Sequence, residues 1–258
     1  MIEIISYQEF KGNDKAIVDR GFEKLVGELK EKYGAETLSS EIDDSELYTR
    51  IDELKIKFET LIDYITFCIK YGADLDVLSP SKLKISGNEM GETISYIIDF
   101  FKRFSEEYGI AFNVYVKKDV ELDLDALKKG MYDDDDIFCF EEEDGLLRVK
   151  AVFSGEGKSE EVVIKNILVS LNPDIIVNKV ITKPTEIEKE TFSGLIAVEM
   201  FCNPFDIVEV AYKFLPLAVS FENSDIELDI SEIQDIGNDL GGAIFELTHA
   251  AATMKGKN

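Results

Sequence analysis

Apolar and polar residues follow one another along the chain with two periods, one typical of strands and one typical of helices. The opening "MIEIISY" is a mostly apolar strand pattern, whereas the apolar residues after "KGND" recur at steps of three and four until Gly34, as on one face of a helix. The elements predicted in the first half are a strand in "MIEIISY", a helix ending at Gly34, strands near 35–42 and 52–58, a helix ending at Gly72, a strand in "ADLDVLSP" and a helix over 87–107. The predicted order is β-α-β-β-α-β-α.

The second half of the chain repeats this order. Its predicted strands are "LLRVKAVF", "DIIVNKVIT", "GLIAVEMF" and "LAVSFENS", and its predicted helices are "KSEEVVIKNILVSL", "NPFDIVEVAYKFL" and residues 232–254. The agreement is closest where the last helix of each half begins, because Ser86 with Glu89 and Ser231 with Gln234 both form the pattern of a capping box. An interval of about 145 residues is too long for a solenoid repeat and indicates a duplicated domain; chance recurrence of short α/β patterns is the alternative.

A β-α-β-β-α-β order is typical of the split βαβ, or ferredoxin-like, arrangement. The sequence therefore predicts an α+β protein of two tandem ferredoxin-like units, each with an antiparallel sheet, helices on one face and an extra C-terminal helix. The apolar stripe of each extra helix is expected to face its own sheet. The predicted domains are 1–116, with an extra edge strand over 110–116, an acidic connector over 117–136, and a second unit over 137–258.

Charge narrows the classes of partner. The chain of 258 residues has 53 acidic and 28 basic residues, a formal net charge of −25, which opposes binding to nucleic acids and to anionic lipid surfaces. The three cysteines are far apart and never form a C-x-x-C pair, so a reducing cytoplasm is the expected location. No apolar run has the length of a membrane span, and the acidic N-terminus does not resemble a signal peptide.

Two acidic runs are candidates for binding a hard cation. Asp133 to Asp136 and Glu141 to Asp144 supply the carboxylates that calcium and magnesium prefer, but their spacing lacks the glycine of an EF-hand loop. Solvated connectors are the favoured interpretation of such runs. The second run is expected to lie in a hairpin, "IFCFEEEDGLLRVKAVF", that turns at Asp144-Gly145. No metal ligand is assigned.

A nucleophilic Cys-His pair is the second candidate. His249 is the single histidine, and Cys68, Cys139 and Cys202 are all distant from it in sequence. Such partners meet in space rather than in sequence, yet no local signature supports a pair here. The favoured interpretation is a helix-surface or packed histidine with small buried cysteines, Cys139 in an aromatic strand. No catalytic residue is assigned.

The glycines of "IGNDLGGAIF" superficially resemble a phosphate-binding loop. Gly237, Gly241 and Gly242 fail the spacing of both the dinucleotide-binding and the P-loop motifs, and they fall inside a predicted helix. Close packing of that helix is the better interpretation, since glycine lowers helix propensity by about 1 kcal/mol but lets backbones approach. No cofactor-binding residue is assigned.

One local resemblance covers residues 52–101. The strand "DELKIKF", the "YG" that ends the next helix, "DVLSP" and then Leu83 resemble the C-terminal extension that follows the WYL domain in bacterial transcriptional regulators. The resemblance implies a ferredoxin-like fold and a regulatory or ligand-sensing role, without a catalytic residue. Lys84 stands where that extension commonly has an arginine, and neither the WYL barrel nor a helix-turn-helix is recognisable.

These observations favour a cytoplasmic, non-catalytic protein that senses a ligand or binds another protein, with a homodimer through sheet edges or helices as one possible assembly. The alternative is an enzyme, or an enzyme accessory subunit, with its site in the cleft between the halves. The fold does not choose between these two functions, because it hosts many unrelated ones. The lack of a metal, phosphate or nucleophile motif favours binding. No cofactor and no specific partner follow from the sequence.

Overall fold

The protein is a mixed α+β structure with antiparallel sheets. The computed structural model describes residues 1–72, 74–109, 122–188 and 191–255. In the first half the elements are β1 (Ile2–Gly12), α1 (Lys15–Tyr33), β2 (Glu36–Asp43), β3 (Tyr48–Phe58), α2 (Leu61–Tyr71), β4 (Asp74–Ser79), β5 (Lys82–Ser86) and α3 (Gly87–Tyr108). They continue as α4 (Leu124–Lys129), α5 (Asp134–Phe138), a π-helical turn (Cys139–Glu143), β6 (Leu147–Gly157), α6 (Glu160–Ser170), β7 (Ile176–Glu188), β8 (Thr191–Cys202), α7 (Pro204–Phe214), β9 (Ala218–Phe221), β10 (Asp225–Asp229) and α8 (Ile230–Lys255).

The chain forms two compact units, and unit 1 consists of Met1–Leu83 with Glu227–Asn258. Its four-stranded sheet has the order β2-β3-β1-β4, and every neighbouring pair is antiparallel. Helices α1 and α2 pack on this sheet, and α8 packs on α2 and β4. The core is aromatic and aliphatic, as expected where amphipathic helices cover one face of a sheet. Its largest buried side chains include Phe22, Leu54, Ile56, Phe58, Tyr64 and Phe67.

Unit 2 consists of Lys84–Ile226. Its sheet has the order β7-β8-β6-β9, so the four strands of the second half follow the same sequence of positions as those of the first. Helix α6 packs on β6 and β8, while α3 packs on α7 and β9. Both sheets are therefore built from a β-α-β-β-α-β segment with antiparallel neighbours.

Each extra C-terminal helix belongs to the compact unit whose sheet is built by the other half of the chain. The apolar stripes of α3 and α8 were expected to face the sheets of their own halves, and this expectation is wrong: α8 completes unit 1 and α3 completes unit 2. Amphipathic periodicity determines which face of a helix is buried but not which sheet it covers. The predicted domains 1–116 and 137–258 are consecutive stretches of chain, whereas compact unit 1 combines two separate stretches and unit 2 is the stretch between them. The predicted strand over 110–116 lies outside the described residues, as does the first part of the connector.

Two short strands were not predicted. In β5 and β10, "KLKIS" and "DIELD", apolar and polar residues alternate over only five positions each. They pair with each other in a two-stranded sheet.

The predicted hairpin at Asp144-Gly145 is wrong, because the segment before the turn is helical. Asp133 caps α5 by accepting hydrogen bonds from the N–H groups of Asp135 and Asp136, and Asp136 accepts in return from the Asp133 N–H. Acidic residues at a helix N-terminus also interact favourably with the helix dipole. Capping and charge together outweigh the strand propensity of "IFCF", so Cys139 begins a π-helical turn instead of lying in a strand.

The last helix of each half begins with a side-chain cap. Ser86 accepts from the Glu89 N–H, as predicted. At the start of α8 the predicted cap, Ser231, is wrong: Asp229 accepts from the Glu232 N–H, and Glu232 accepts from the Asp229 N–H, both at 2.8 Å. The capping box thus lies two residues earlier than predicted.

Among the described helices, none combines the length and apolar character that a membrane crossing requires.

Candidate functional site

The candidate site is a cavity of about 740 Å³ within unit 1, at the end of β1 that extends beyond β4. Its wall consists of Tyr7, Gln8, Glu9, Phe10, Lys11, Leu25, Ile51, Lys70, Tyr71, Gly72, Asp74 and Phe245. A second cavity, of about 540 Å³ within unit 2, is lined mainly by apolar side chains. The unit 1 cavity differs from it in combining a strand edge, buried polar side chains and charged groups.

Helix α8 covers the outer edge of β4 through two side-chain amides. The Leu75 N–H donates to Asn238 Oδ1 and the Val77 N–H donates to Gln234 Oε1, both at 3.1 Å. The backbone groups of Leu75 and Val77 therefore point away from β1. Because alternate residues of a strand direct their backbone groups to opposite neighbours, the other residues of β4 point toward β1.

The register then gives the direction of the backbone groups in β1. Asp74 and Asp76 are the β4 residues that point toward β1, and they lie opposite Tyr7 and Ile5. Opposite residues of an antiparallel pair share the same hydrogen-bonding role. The odd-numbered residues of β1 consequently direct their N–H and C=O groups toward the β4 side, and the even-numbered ones direct them toward β3.

Beyond the start of β4, this side of β1 has no neighbouring strand in the described part of the chain. β4 begins at Asp74, opposite Tyr7, whereas the pairing of β1 with β3 continues without a shift to Gly12. The backbone groups of Glu9 and Lys11 therefore point toward the cavity side of the sheet. Two N–H donors and two C=O acceptors remain unpaired by the sheet at this edge.

The inner face of the sheet becomes polar where it meets the cavity. Ser6 and Gln8 are buried, and the Gln8 Nε2 donates to Ser6 Oγ at 2.9 Å. Asp52, opposite Gln8 on β3, is also buried and accepts from Ser40 Oγ at 2.5 Å. We call Ser6, Gln8 and Asp52 the polar floor; Gln8 is its member that lines the cavity.

The matching positions of the unit 2 sheet are apolar. Ile2 pairs with Phe58 in unit 1 and Leu147 pairs with Cys202 in unit 2, which aligns the two central strand pairs. In this alignment the polar floor corresponds to the buried residues Ala151, Phe153 and Ile196 of unit 2. A sheet of this strand order therefore packs with apolar residues at all three positions.

A charged group lies on one side of the cavity, at the end of α2. The Lys70 ammonium contacts Glu28 Oε1 and Tyr71 Oη, and the Tyr71 hydroxyl donates to Glu28 Oε1 at 2.9 Å. The hydrogen bond with Glu28 raises the pKa of Lys70, and the one with Lys70 lowers the pKa of Glu28. Both groups are therefore held in their ionised forms beside the cavity.

Apolar side chains from three elements form the rest of the wall. Phe10 is held by an edge-to-face contact with Phe22, with ring centroids 5.8 Å apart. Leu25 of α1 is half-buried, and Phe245 of α8 is 68% exposed. An aromatic ring so exposed beside a cavity is a candidate contact for a bound molecule, because aromatic residues supply a large apolar area.

The candidate nucleophiles do not meet at the cavity. His249 is exposed on α8, and no hydrogen bond joins its side chain to a thiol within the described part of unit 1. Burial raises the pKa of the Cys68 thiol to about 12 and also raises that of Cys202. Cys139 is half-buried in the π-helical turn, where partial burial raises its pKa. Thiols with raised pKa values are poor nucleophiles at neutral pH.

The first acidic run and Gly237 have structural roles. Asp133 and Asp136 form the capping box of α5, and the described residues hold no cluster of acids, cysteines or histidine suited to a metal. Close packing is confirmed at Gly237, where an added Cβ would lie 1.9 Å from Tyr64 Oη. Gly242 has open space around it, and a Cβ added at Gly72, the C-cap of α2, would lie 3.5 Å from the Gly241 carbonyl oxygen.

The residues of this cavity were not predicted from the sequence. A signal was present in "MIEIISYQEF", where the inward-facing positions change from Ile2 and Ile4 to Ser6 and Gln8. Lys70 and Phe245 gave no such signal, because charged and aromatic residues are common on the faces of amphipathic helices. Only the tertiary structure brings them to one cavity.

Comparison with known proteins places the chain in a family. Residues 3–255 match the model of the MJ0538 family. The chain is 49% identical over 261 residues to the uncharacterized protein MJ0538 of Methanocaldococcus jannaschii, and the alignment covers 99% of this chain and 100% of that protein. No solved structure matches the chain. Neither the family description nor the relative's name mentions a WYL domain, so the resemblance of residues 52–101 is unconfirmed. The chain belongs to the MJ0538 family.

Proposed function

We propose that the protein is a non-catalytic, cytoplasmic binding protein of two duplicated ferredoxin-like units, with its ligand site in the cavity of unit 1. The identical strand positions of the two sheets support the duplication. A regulatory, ligand-sensing role, as the WYL-extension resemblance implies, agrees with a protein that binds without reacting.

The polar floor is the observation that carries this proposal. Burying a hydroxyl or amide without full compensation costs about 1–3 kcal/mol, and one neutral hydrogen bond returns about 1 kcal/mol. Ser6 and Gln8 therefore stabilise the sheet less than Ala151 and Phe153 stabilise the other one. Polar groups on a cavity wall orient a bound molecule. This role gives a reason why unit 1 has polar residues where unit 2 has apolar ones.

The charged wall supports binding over catalysis. Lys70 and Glu28 neutralise each other, and the shifts of their pKa values stabilise the ionised forms. A general acid or base instead needs a pKa near the working pH. These two groups are thus suited to hydrogen bonding with a ligand and not to proton transfer.

A thermal-shift screen of metabolites and short peptides tests the proposal. The comparison variant is Ser6→Ala/Gln8→Phe, which introduces the unit 2 residues into unit 1 and is expected to fold. A ligand at a hundred times its Kd should add about 2.7 kcal/mol to the unfolding free energy of the wild type and much less to that of the variant. The proposal fails if every stabilising compound acts equally on both proteins, or if none stabilises the wild type.

A further inference from the structure

The unpaired edge of β1 carries an inference about what the cavity binds. Glu9 and Lys11 point their backbone N–H and C=O groups along the cavity side of the sheet, where β4 does not extend. These groups have no backbone hydrogen bond outside the sheet among the described residues. An exposed row of alternating donors and acceptors is a template for another strand.

We propose that this edge binds an extended, basic peptide segment of a partner protein as an added strand; the inference rests on the proposed function of the cavity. The segment would continue the line of β4 and pair with Glu9 and Lys11. In this mode the main-chain hydrogen bonds supply affinity, and side-chain pockets on the two faces supply specificity.

The lining of the cavity fits the alternating side chains of such a segment. On the inner face, Gln8 and Phe10 line the cavity together with Leu25 of α1, and Phe245 of α8 adds an exposed ring. Alternate residues of the added strand would therefore meet apolar surface on this side. The Gln8 amide provides the polar contact on the same face.

Charge favours a basic partner over a second copy of this chain. Lys11 is paired with Glu9 at 3.0 Å, and Lys70 is paired with Glu28. Asp74 and Asp76 have no ion pair among the described residues, and Lys32 adds a positive charge near Glu28. The four carboxylates of Glu9, Glu28, Asp74 and Asp76 thus exceed the three lysines by one, in a chain of net charge −25. Basic residues complement this field, whereas two copies of the chain repel each other.

Proline at position 11 provides a selective test of the backbone edge. Because the Lys11 N–H points away from β3, Lys11→Pro removes the free donor and leaves the β1–β3 pairing intact. Lys11→Ala is the matched control, since it removes the charge and keeps the N–H. Phe10→Pro should destabilise the protein instead, because the Phe10 N–H belongs to the ladder with β3.

The probe is a displayed library of random peptides of about seven residues, enough to span the edge at strand spacing. Peptides selected on the wild-type protein should alternate apolar with basic residues. We expect Lys11→Pro to lower the affinity for these peptides by about ten-fold or more, because one hydrogen bond is lost and the proline ring blocks the edge. Lys11→Ala should lower the affinity by less than about three-fold.

A second pair of variants tests the apolar wall. Phe245→Ala should lower the affinity for the selected peptides by about ten-fold, because an aromatic contact is lost, whereas Ile17→Ala should leave the affinity unchanged. Ile17 is the control because it is 66% exposed in the same unit and does not line the cavity. If Lys11→Pro lowers stability, the same peptides with N-methylated backbone amides provide the test, and they should bind at least ten-fold more weakly, by about 1.4 kcal/mol.

The inference is overturned if no peptide is enriched on the wild type, if selected peptides bind Lys11→Pro as well as wild type, or if N-methylation has no effect. Concentration-dependent dimerisation that Lys11→Pro abolishes would also overturn it, in favour of a second copy at this edge. If these tests fail but a metabolite stabilises the wild type and not the Ser6→Ala/Gln8→Phe variant, the proposed function stands without the peptide. Failure of both experiments would remove the cavity as a binding site.

Discussion

Two glycines of α8 should respond oppositely to the same substitution. An alanine Cβ at Gly237 would lie 1.9 Å from Tyr64 Oη and 2.8 Å from Tyr64 Cζ, far inside van der Waals contact. Tyr64 is fully buried and donates to the Ile233 carbonyl oxygen at 2.8 Å, so it cannot move without losing that bond. Gly242, on the same helix, has nothing within 4 Å of an added Cβ.

The magnitudes follow from three contributions. Overpacking costs up to about 3 kcal/mol, the displaced hydrogen bond costs about 1 kcal/mol, and replacing a helical glycine by alanine returns about 1 kcal/mol. Gly237→Ala should therefore lower the free energy of unfolding by about 2–3 kcal/mol. Gly242→Ala has only the propensity contribution and should raise it by about 1 kcal/mol.

Thermal unfolding followed by circular dichroism measures the difference. For a chain of this length 1 kcal/mol corresponds to about 2–4 °C, so Gly237→Ala should lower Tm by at least about 4 °C and Gly242→Ala should raise it by a few degrees. Adding Tyr64→Phe should restore part of the loss in Gly237→Ala, because the nearest clashing atom is removed. Equal shifts for the two glycine variants, or an unchanged Gly237→Ala protein, would refute the close contact of α8 with α2.

Three further outcomes follow from the structure. Asp229→Ala should lower the unfolding free energy by about 1 kcal/mol in chemical denaturation and Ser231→Ala should lower it less, because Asp229 is the cap of α8 and Ser231 only donates a hydrogen bond to its carboxylate; a reversed order would restore the predicted cap. The hydrogen bond from the Glu232 N–H lowers the pKa of Asp229, so its stabilisation is present above the unfolded-state pKa of about 3.9 and is lost as pH falls through the lower folded value, a dependence that Asp229→Asn should reduce. Gln234→Ala/Asn238→Ala should accelerate hydrogen exchange at the Leu75 amide, which loses its acceptor, and unchanged protection would argue against this contact. In gel-shift assays at physiological salt the protein should not retard random duplex DNA, since its net charge of −25 opposes counterion release; salt-sensitive micromolar binding would contradict this.

Helix caps show how far local sequence determines the structure. Asp14, Ser159 and Asn203 are the N-caps of α1, α6 and α7, and each is a polar residue that stands just before an apolar helical period. "DISEIQ" contains two overlapping boxes, Asp229 with Glu232 and Ser231 with Gln234. The structure uses the first, and Gln234 instead accepts from the β4 edge. Local pattern alone cannot rank two boxes when a distant strand competes for the same side chain.

Features that depend on contacts between distant parts of the chain could not be predicted from the sequence. The apolar stripe of α8 was recognised, but its packing against α2 depends on Tyr64 and Gly237, which are far apart in the chain. The open edge at Glu9 and Lys11 depends on where β4 begins, and strand ends are set by tertiary pairing. The buried Gln8 was the one feature of the cavity that strand alternation signalled.

The exchanged position of α8 has a consequence for biosynthesis. Residues 1–83 emerge from the ribosome long before residues 227–258, which belong to the same compact unit. At 5–20 residues per second the intervening segment takes about 7–30 s to synthesise. During that interval the Leu75 and Val77 amides lack the side chains that later accept from them, and Tyr64 lacks its helical partner. The nascent chain thus presents an uncovered strand edge, the kind of surface that chaperones bind and that aggregation exploits, until the last helix has been made.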